Sequence, residues 1–420
     1  DALPISSETW TENGIRNADW SVTIGADGYA TAIDPVDPDI IYGEMQNGSV
    51  FRHNRKTGDS VSIQPMAAPG EEPLRFNWDA PIIISTHDHK RIYFGAQRLF
   101  RSDDQGDNWA AISDDLTRGQ NRYTMPIMDR TWGIDDLWDH RAMSRYGTIT
   151  CISESPLQEG LIYAGTDDGL VNLTTDGGKT WTSLRSFPGL DVVPFVNDLV
   201  ASRHNKDRVY LALDAHKTGD LRPWLFCSDD RGKTMRSITE GLGERQIVWS
   251  IVEDPVRPDL LFAGTETGIF VSFDGGASWT AMKGGLPTIP FRDIVIQERE
   301  GDLVCGSFGR GIYILDDIAP LRQLSEELLE QQAVIFPVTT AVQHPIASPL
   351  GEDGNASQGH AYFVADNPPY GAVFTVYAKS GLKTAKKQRL ETERKLEKEG
   401  KGIDFPGWEQ LNAEQNEKDP

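Results

Sequence analysis

Most of the chain alternates short apolar runs with clusters of Gly, Asp and Pro, a pattern that suits strands joined by turns and not helices. The stretch IVWSIVEDPVRPDLLFAGTETGIFVSFDGGASWTAM from Ile247 shows the unit. It reads as a first strand (247–253), a Pro/Asp turn, a second strand (260–264), a tight hairpin, a third strand (269–272) and an outer strand around Trp279. The same frame starts near Tyr29, Pro81, Gly147, Phe195 and Phe291.

Inside four of these units an octapeptide recurs: SDDQGDNW from Ser102, TTDGGKTW from Thr174, SDDRGKTM from Ser228 and SFDGGASW from Ser272. The spacings are 72, 54 and 44 residues, so only the last approaches a bare four-stranded unit and the others carry insertions. The chemistry of the octad is structural. Asp104, Asp176, Asp230 and Asp274 are suited to accept backbone N–H bonds of the turn. The glycine permits positive φ, and Trp109, Trp181 and Trp279 cover the hairpin, with Met235 in the third copy.

Six units with edges to protect predict an all-β propeller of six or seven four-stranded blades over residues 1–317. The last unit lacks an outer strand, and NADWSVTIG around Trp20 reads as one. Either the two combine, or a seventh blade is mostly missing upstream; the mid-blade character of the opening residues favours the second. A helical linker (318–332) capped at Ser325 follows. Residues 333–420 read as the start of a β-sandwich through GHAYFVADNPPYGAVFTVYA, with a charged helix at 383–399 stopped by Gly400 and supported by a Glu391–Lys395 pair. The chain starts at Asp1 without signal peptide or initiator Met and reads either as a mature protein or as an excised piece of a longer one with flanking domains.

These residues resemble the Asp-box (BNR) β-propeller proteins, which include sialidases, xyloglucanases, sortilin-type receptors and photosystem assembly factors. The likeness is nearer to large secreted bacterial proteins described as glycosyl hydrolase-like or sortilin-like. It is carried by DGYATAIDPVDPDIIYGEMQNG, RFNWDAPIIIS, RIYFGAQRLFRSDDQGDNW, YGTITCISESPLQEGLIYAGTDDGLV, GSFGRGIYILDD and NPPYGAVFTVY, from about residue 14 to about residue 380. The resemblance implies an extracytoplasmic protein. It also implies that a xyloglucanase-type enzyme would place its two acids across a cleft between two propellers, of which this chain holds one. No Arg-Ile-Pro motif of the sialidases is present.

Composition narrows the partners. With 41 Lys+Arg against 63 Asp+Glu the net charge is −22, which repels a phosphate backbone, so nucleic acid is not expected. No apolar run is long enough to insert in a membrane. Cys151, Cys227 and Cys305 each sit in a strand-like run and read as buried thiols, and neither a metal nor a cofactor is expected. His87 and His89 lie in a turn and read as structural.

Insertions at 66–79, 113–146, 186–195 and 214–224 all belong to one face, that of the second-to-third hairpins and blade-to-blade connections. Candidate ligand-binding residues there are Arg75, Trp78, Asp79, Trp132, Trp138, Asp168, Arg222, Trp224 and Arg310. Trp rings beside carboxylates suit a glycan, and a peptide is the other candidate ligand. The reading favoured is a binding scaffold. The alternative is a glycoside hydrolase using Asp135, Asp136 or Asp139 of TWGIDDLWDH, because glycoside hydrolysis needs paired carboxylates.

Overall fold

The structure, a computed structural model, describes residues 9–126, 129–133, 135–136, 145–348, 364–379 and 383–416. Two compact units emerge: Asp1–Ile318 with Pro345–Pro368, and Ala319–His344 with Pro369–Pro420.

The first unit is a six-bladed β-propeller. Five antiparallel sheets have four strands each and the sixth has three, all in sequential order. The blades open with the first strands Gly28–Ile33, Ile82–Ile84, Ile149–Glu154, Phe195–Ala201, Val248–Glu253 and Phe291–Gln297. In five blades a bulge falls near the start of this strand, as between Val196 and Asp198 or Phe291 and Asp293. Successive blades touch through second-strand glycines. A Cβ on Gly165 would lie 2.5 Å from Val196 Cγ1, and one on Gly264 2.6 Å from the Phe291 carbonyl. These glycines are therefore packing sites, not turn residues.

The octads join blade to blade as well as closing their own turns. Asp176 accepts from Thr174 Oγ1 (2.8 Å), Thr180 N (2.9 Å) and Thr180 Oγ1 (2.7 Å), and the other three copies repeat this. Each Trp then reaches the preceding blade: Nε1 of Trp109, Trp181 and Trp279 donates to the carbonyls of Ile63, Ile112 and Ile238 at 2.6, 3.0 and 2.7 Å. The fifth octad position is a left-handed glycine in every copy, packed against that same neighbouring strand.

On this same face, first-to-second turns add further links. His87 bonds the Ser155 carbonyl (2.9 Å) and His204 the Asp254 carbonyl (2.8 Å), each crossing to the next blade. His89 pairs with the buried Asp34 carboxylate of blade 1. Glu154 and Glu253, both buried, accept from Ser85 and Tyr93 and from Ser202 and Tyr210 respectively. Cys151, Cys227 and Cys305 are buried free thiols.

Three expectations are corrected. Trp20 lies outside any strand: Asp19 accepts the Arg16 N–H (2.8 Å) in a short 3-10 turn that diverts the chain, and Trp20 is left 45% exposed. Blade 6 thus ends at its third strand, Ile312–Leu315, among the described residues. The sandwich hairpin does not form either. Val364–Ala365 pairs with Ile15–Arg16 in the first unit, whereas Val376–Ala378 pairs with Ala333–Ile335 in the second. Pro368 and Pro369 between them lack N–H donors, and Asn367 is tied to Thr9 and Thr11 instead. In the second unit, helix Ala385–Lys398 is capped by Thr384 and ends before Gly400 at φ +68°. Its Glu391 pairs with Lys383 (2.5 Å), not with Lys395.

Candidate functional site

The face opposite the octad turns carries the long connections, and the structure braces them around the mouth of the channel. Arg75 bonds Asp115 (2.6 Å), Thr117 (3.4 Å) and the Gly147 carbonyl (3.3 Å), tying the loop before blade 2 to the loop before blade 3. Asn77 donates to Thr148 (2.8 Å), and Trp78 Nε1 donates to Tyr29 OH of blade 1. Asp168 is fully buried and accepts from Thr166 Oγ1 and the Arg118 N–H, both at 2.6 Å. Its neighbour Asp167 receives Gly147 N, Thr148 N and Thr148 Oγ1. Both acidic residues organise backbone here.

Around the fourth blade, Arg222 pairs with Asp220 (2.7 Å) and lies 4.6 Å over the buried ring of Trp224. Arg310 is exposed and forms no ion pair among the described residues. Trp132 is half-buried beneath Arg130 (4.3 Å). Asp135 is exposed, whereas Asp136 accepts the Gly133 N–H and lies 3.7 Å from Arg130. Trp138 and Asp139 lie outside the described residues.

Several side chains at this mouth escaped the sequence reading. Trp249, at the bulge of blade 5, donates to Glu266 (2.9 Å), and the Arg292 guanidinium stacks 3.5 Å from its ring. In IVWSIV a tryptophan reads as core, and it is indeed buried. The bulges of blades 5 and 6 that place Trp249 and Arg292 appear only in the paired strands, so the sequence carries no signal for either.

On the first strands of blades 4 and 6 and just before that of blade 2 lie Asp198, Asp293 and Asp79. Asp79 and Asp293 are exposed and Asp198 is half-buried. Enclosure by the surrounding strands raises the proton affinity of all three, and the Asp293 charge adds to this at Asp79 and Asp198. Asp79 is pushed up to about 6 and Asp198 to about 7; burial likewise lifts Asp167 to about 7. The octad acids go the other way. Hydrogen bonds from Asn108, Thr180 and Thr234 hold Asp104, Asp176 and Asp230 down to about 2.

These opposed shifts predict a stability optimum on the acid side. Octad acids, lowered in the fold, stabilise it fully above about pH 4 and lose that effect as pH falls toward 2. Asp79, Asp167 and Asp198, raised in the fold, favour it fully below about pH 4 and stop doing so as pH rises through about 6–7. Thermal melts from about pH 2 to 8 should peak at about pH 4 and decline toward about pH 7. A melting temperature climbing steadily to pH 8 contradicts the assignment.

No family model matches the chain. A xyloglucanase from Paenibacillus sp. is 28% identical over 192 residues, 40% of this chain and 17% of that protein. An oligoxyloglucan-reducing end-specific xyloglucanase from Emericella nidulans is 28% identical over 260 residues, 54% of this chain. The chain spans 30% of that second relative's length. Among solved structures, an ancestral GH74 enzyme aligns at 14% identity and a TM-score of 0.49, over 69% of this chain and 36% of its own. The GH74 xyloglucanase from Xanthomonas campestris aligns at 18% identity and a TM-score of 0.48, over 75% and 49%.

Among the described residues no helix is long and apolar enough to cross a membrane, and no group of His, Cys, Asp or Glu is arranged to hold a metal.

Proposed function

We propose that this propeller binds a polysaccharide of the β-glucan type, outside the cytoplasm, on its loop-rich face. The observation that carries the reading is the braced mouth itself. Arg75, Asn77 and Trp78 are fixed to blades 1 and 3, so the loops are held before any ligand arrives. Partly exposed aromatic rings, Tyr29 and Trp78, sit there beside Asp79, a pairing that suits sugar faces and hydroxyls. Two curated xyloglucanases with 28% identity support the choice of a glucan over a peptide.

Hydrolysis is a second reading, favoured by one feature. Asp79 combines access to solvent with a pKa near 6, the property a proton donor to a glycosidic oxygen requires. On this reading Asp79 takes the acid role considered for Asp135, Asp136 and Asp139. Calorimetry with xyloglucan oligosaccharides and cellohexaose, beside reducing-end assays on xyloglucan, tests both. Binding without turnover supports the scaffold reading. Turnover that Asp79→Asn abolishes, with binding retained, supports the enzyme. Absence of glucan binding overturns the proposal.

A further inference from the structure

Resting on that reading, we infer that Phe308 and Arg292 form a subsite for a neutral pyranose ring, with Glu266 as its hydrogen-bond acceptor. Phe308 tops the second-to-third hairpin of blade 6 and is 66% exposed, a large ring facing solvent on the side where the long connections gather. Its backbone is anchored, because the Phe308 N–H donates to the Pro290 carbonyl (2.9 Å). Arg292 is sandwiched between two rings, 3.5 Å from Trp249 and 5.5 Å from Phe308. Trp249 is itself buried and held by Glu266 and by the edge of His216, so the guanidinium plane rests on a rigid floor.

Unlike Arg75, Arg118 and Arg222, Arg292 has no hydrogen-bond or ion-pair partner among the described residues. A guanidinium in that state offers a fork of N–H donors at fixed orientation. The charges around it select the ligand. Glu266 and Asp214 both act on Arg292, so two carboxylates already face its one guanidinium, with Asp214 also bonded by His216. An added carboxylate would meet repulsion there. A sugar ring would not: its vicinal hydroxyl oxygens accept from Arg292 while one hydroxyl donates to Glu266, and its C–H face lies on Phe308.

Calorimetry on the whole chain tests this with cellohexaose and an oligogalacturonide of equal length. Phe308→Ala and Arg292→Ala are each expected to weaken cellohexaose at least about tenfold, and Arg292→Lys to restore little, because an ammonium lacks the planar fork. The galacturonide should bind more weakly than cellohexaose. Unchanged cellohexaose affinity in both alanine variants overturns the subsite while leaving glucan binding by the propeller intact. Tighter binding of the galacturonide, lost in Arg292→Ala, overturns the neutral-sugar assignment. A wild-type chain that binds neither removes both this inference and the reading beneath it.

Discussion

Gly178→Ala is expected to destabilise the propeller by about 4 kcal/mol, whereas Gly177→Gln next to it should cost about 1 kcal/mol or less. Both positions are left-handed, at φ +96° and +71°. The fourth octad position already carries Gln105 and Arg231 at φ +61° in sister copies, and nothing lies within 4 Å of a Cβ on Gly177. A Cβ on Gly178 would instead lie 2.4 Å from the Ile112 carbonyl oxygen of blade 2 and 2.8 Å from its Cβ. Backbone cannot give way there without separating the blades. Urea denaturation of the two variants isolates this term, since the φ penalty is shared and the collision is not. Equal losses would mean that the octads only close their own turns.

The second large effect concerns recognition. Trp78→Ala should weaken a xyloglucan oligosaccharide by a factor of about 30, or about 2 kcal/mol, with little change in the melting temperature. Its ring is half-buried and held in place through Tyr29, so truncation removes a stacking surface and frees the Tyr29 hydroxyl. Trp78→Phe keeps an aromatic face and loses only that bond, and its affinity should fall between the two. Titration calorimetry reads both. Wild-type affinity in Trp78→Ala would move the ligand away from this part of the mouth.

The propeller was legible because its determinants are local and repeated. Strand periodicity, turn glycines and the octads of Ser102, Thr174, Ser228 and Ser272 recur at positions a single chain displays. What the octads bond to was not legible. The indole of Trp181 and the glycine at 178 meet Ile112, some 70 residues earlier, and only the ring arrangement brings them together. The same holds for the site. Residue type and loop length single out Arg75 and Asp168, and the structure uses both as braces. Trp249 and Arg292 carry no such mark in the sequence, because each lies within an apolar strand where only a bulge turns the side chain toward the mouth. Strand pairing across the two prolines after Asn367 is not legible either, because apolar alternation does not name its partner.

The two faces of the propeller therefore divide their work. Bonds between blades brace both, from Trp109, Trp181, Trp279, His87 and His204 on the octad face and from Arg75, Asn77 and Trp78 on the other, and the proposed reading assigns the ligand to the second. Hydrogen–deuterium exchange with and without a saturating xyloglucan oligosaccharide examines this division in one experiment. Slowed exchange should fall on peptides covering residues 74–79, 145–148, 264–268 and 306–311, with the octad turns unchanged. Protection confined to the octad turns, with the mouth untouched, would contradict the account.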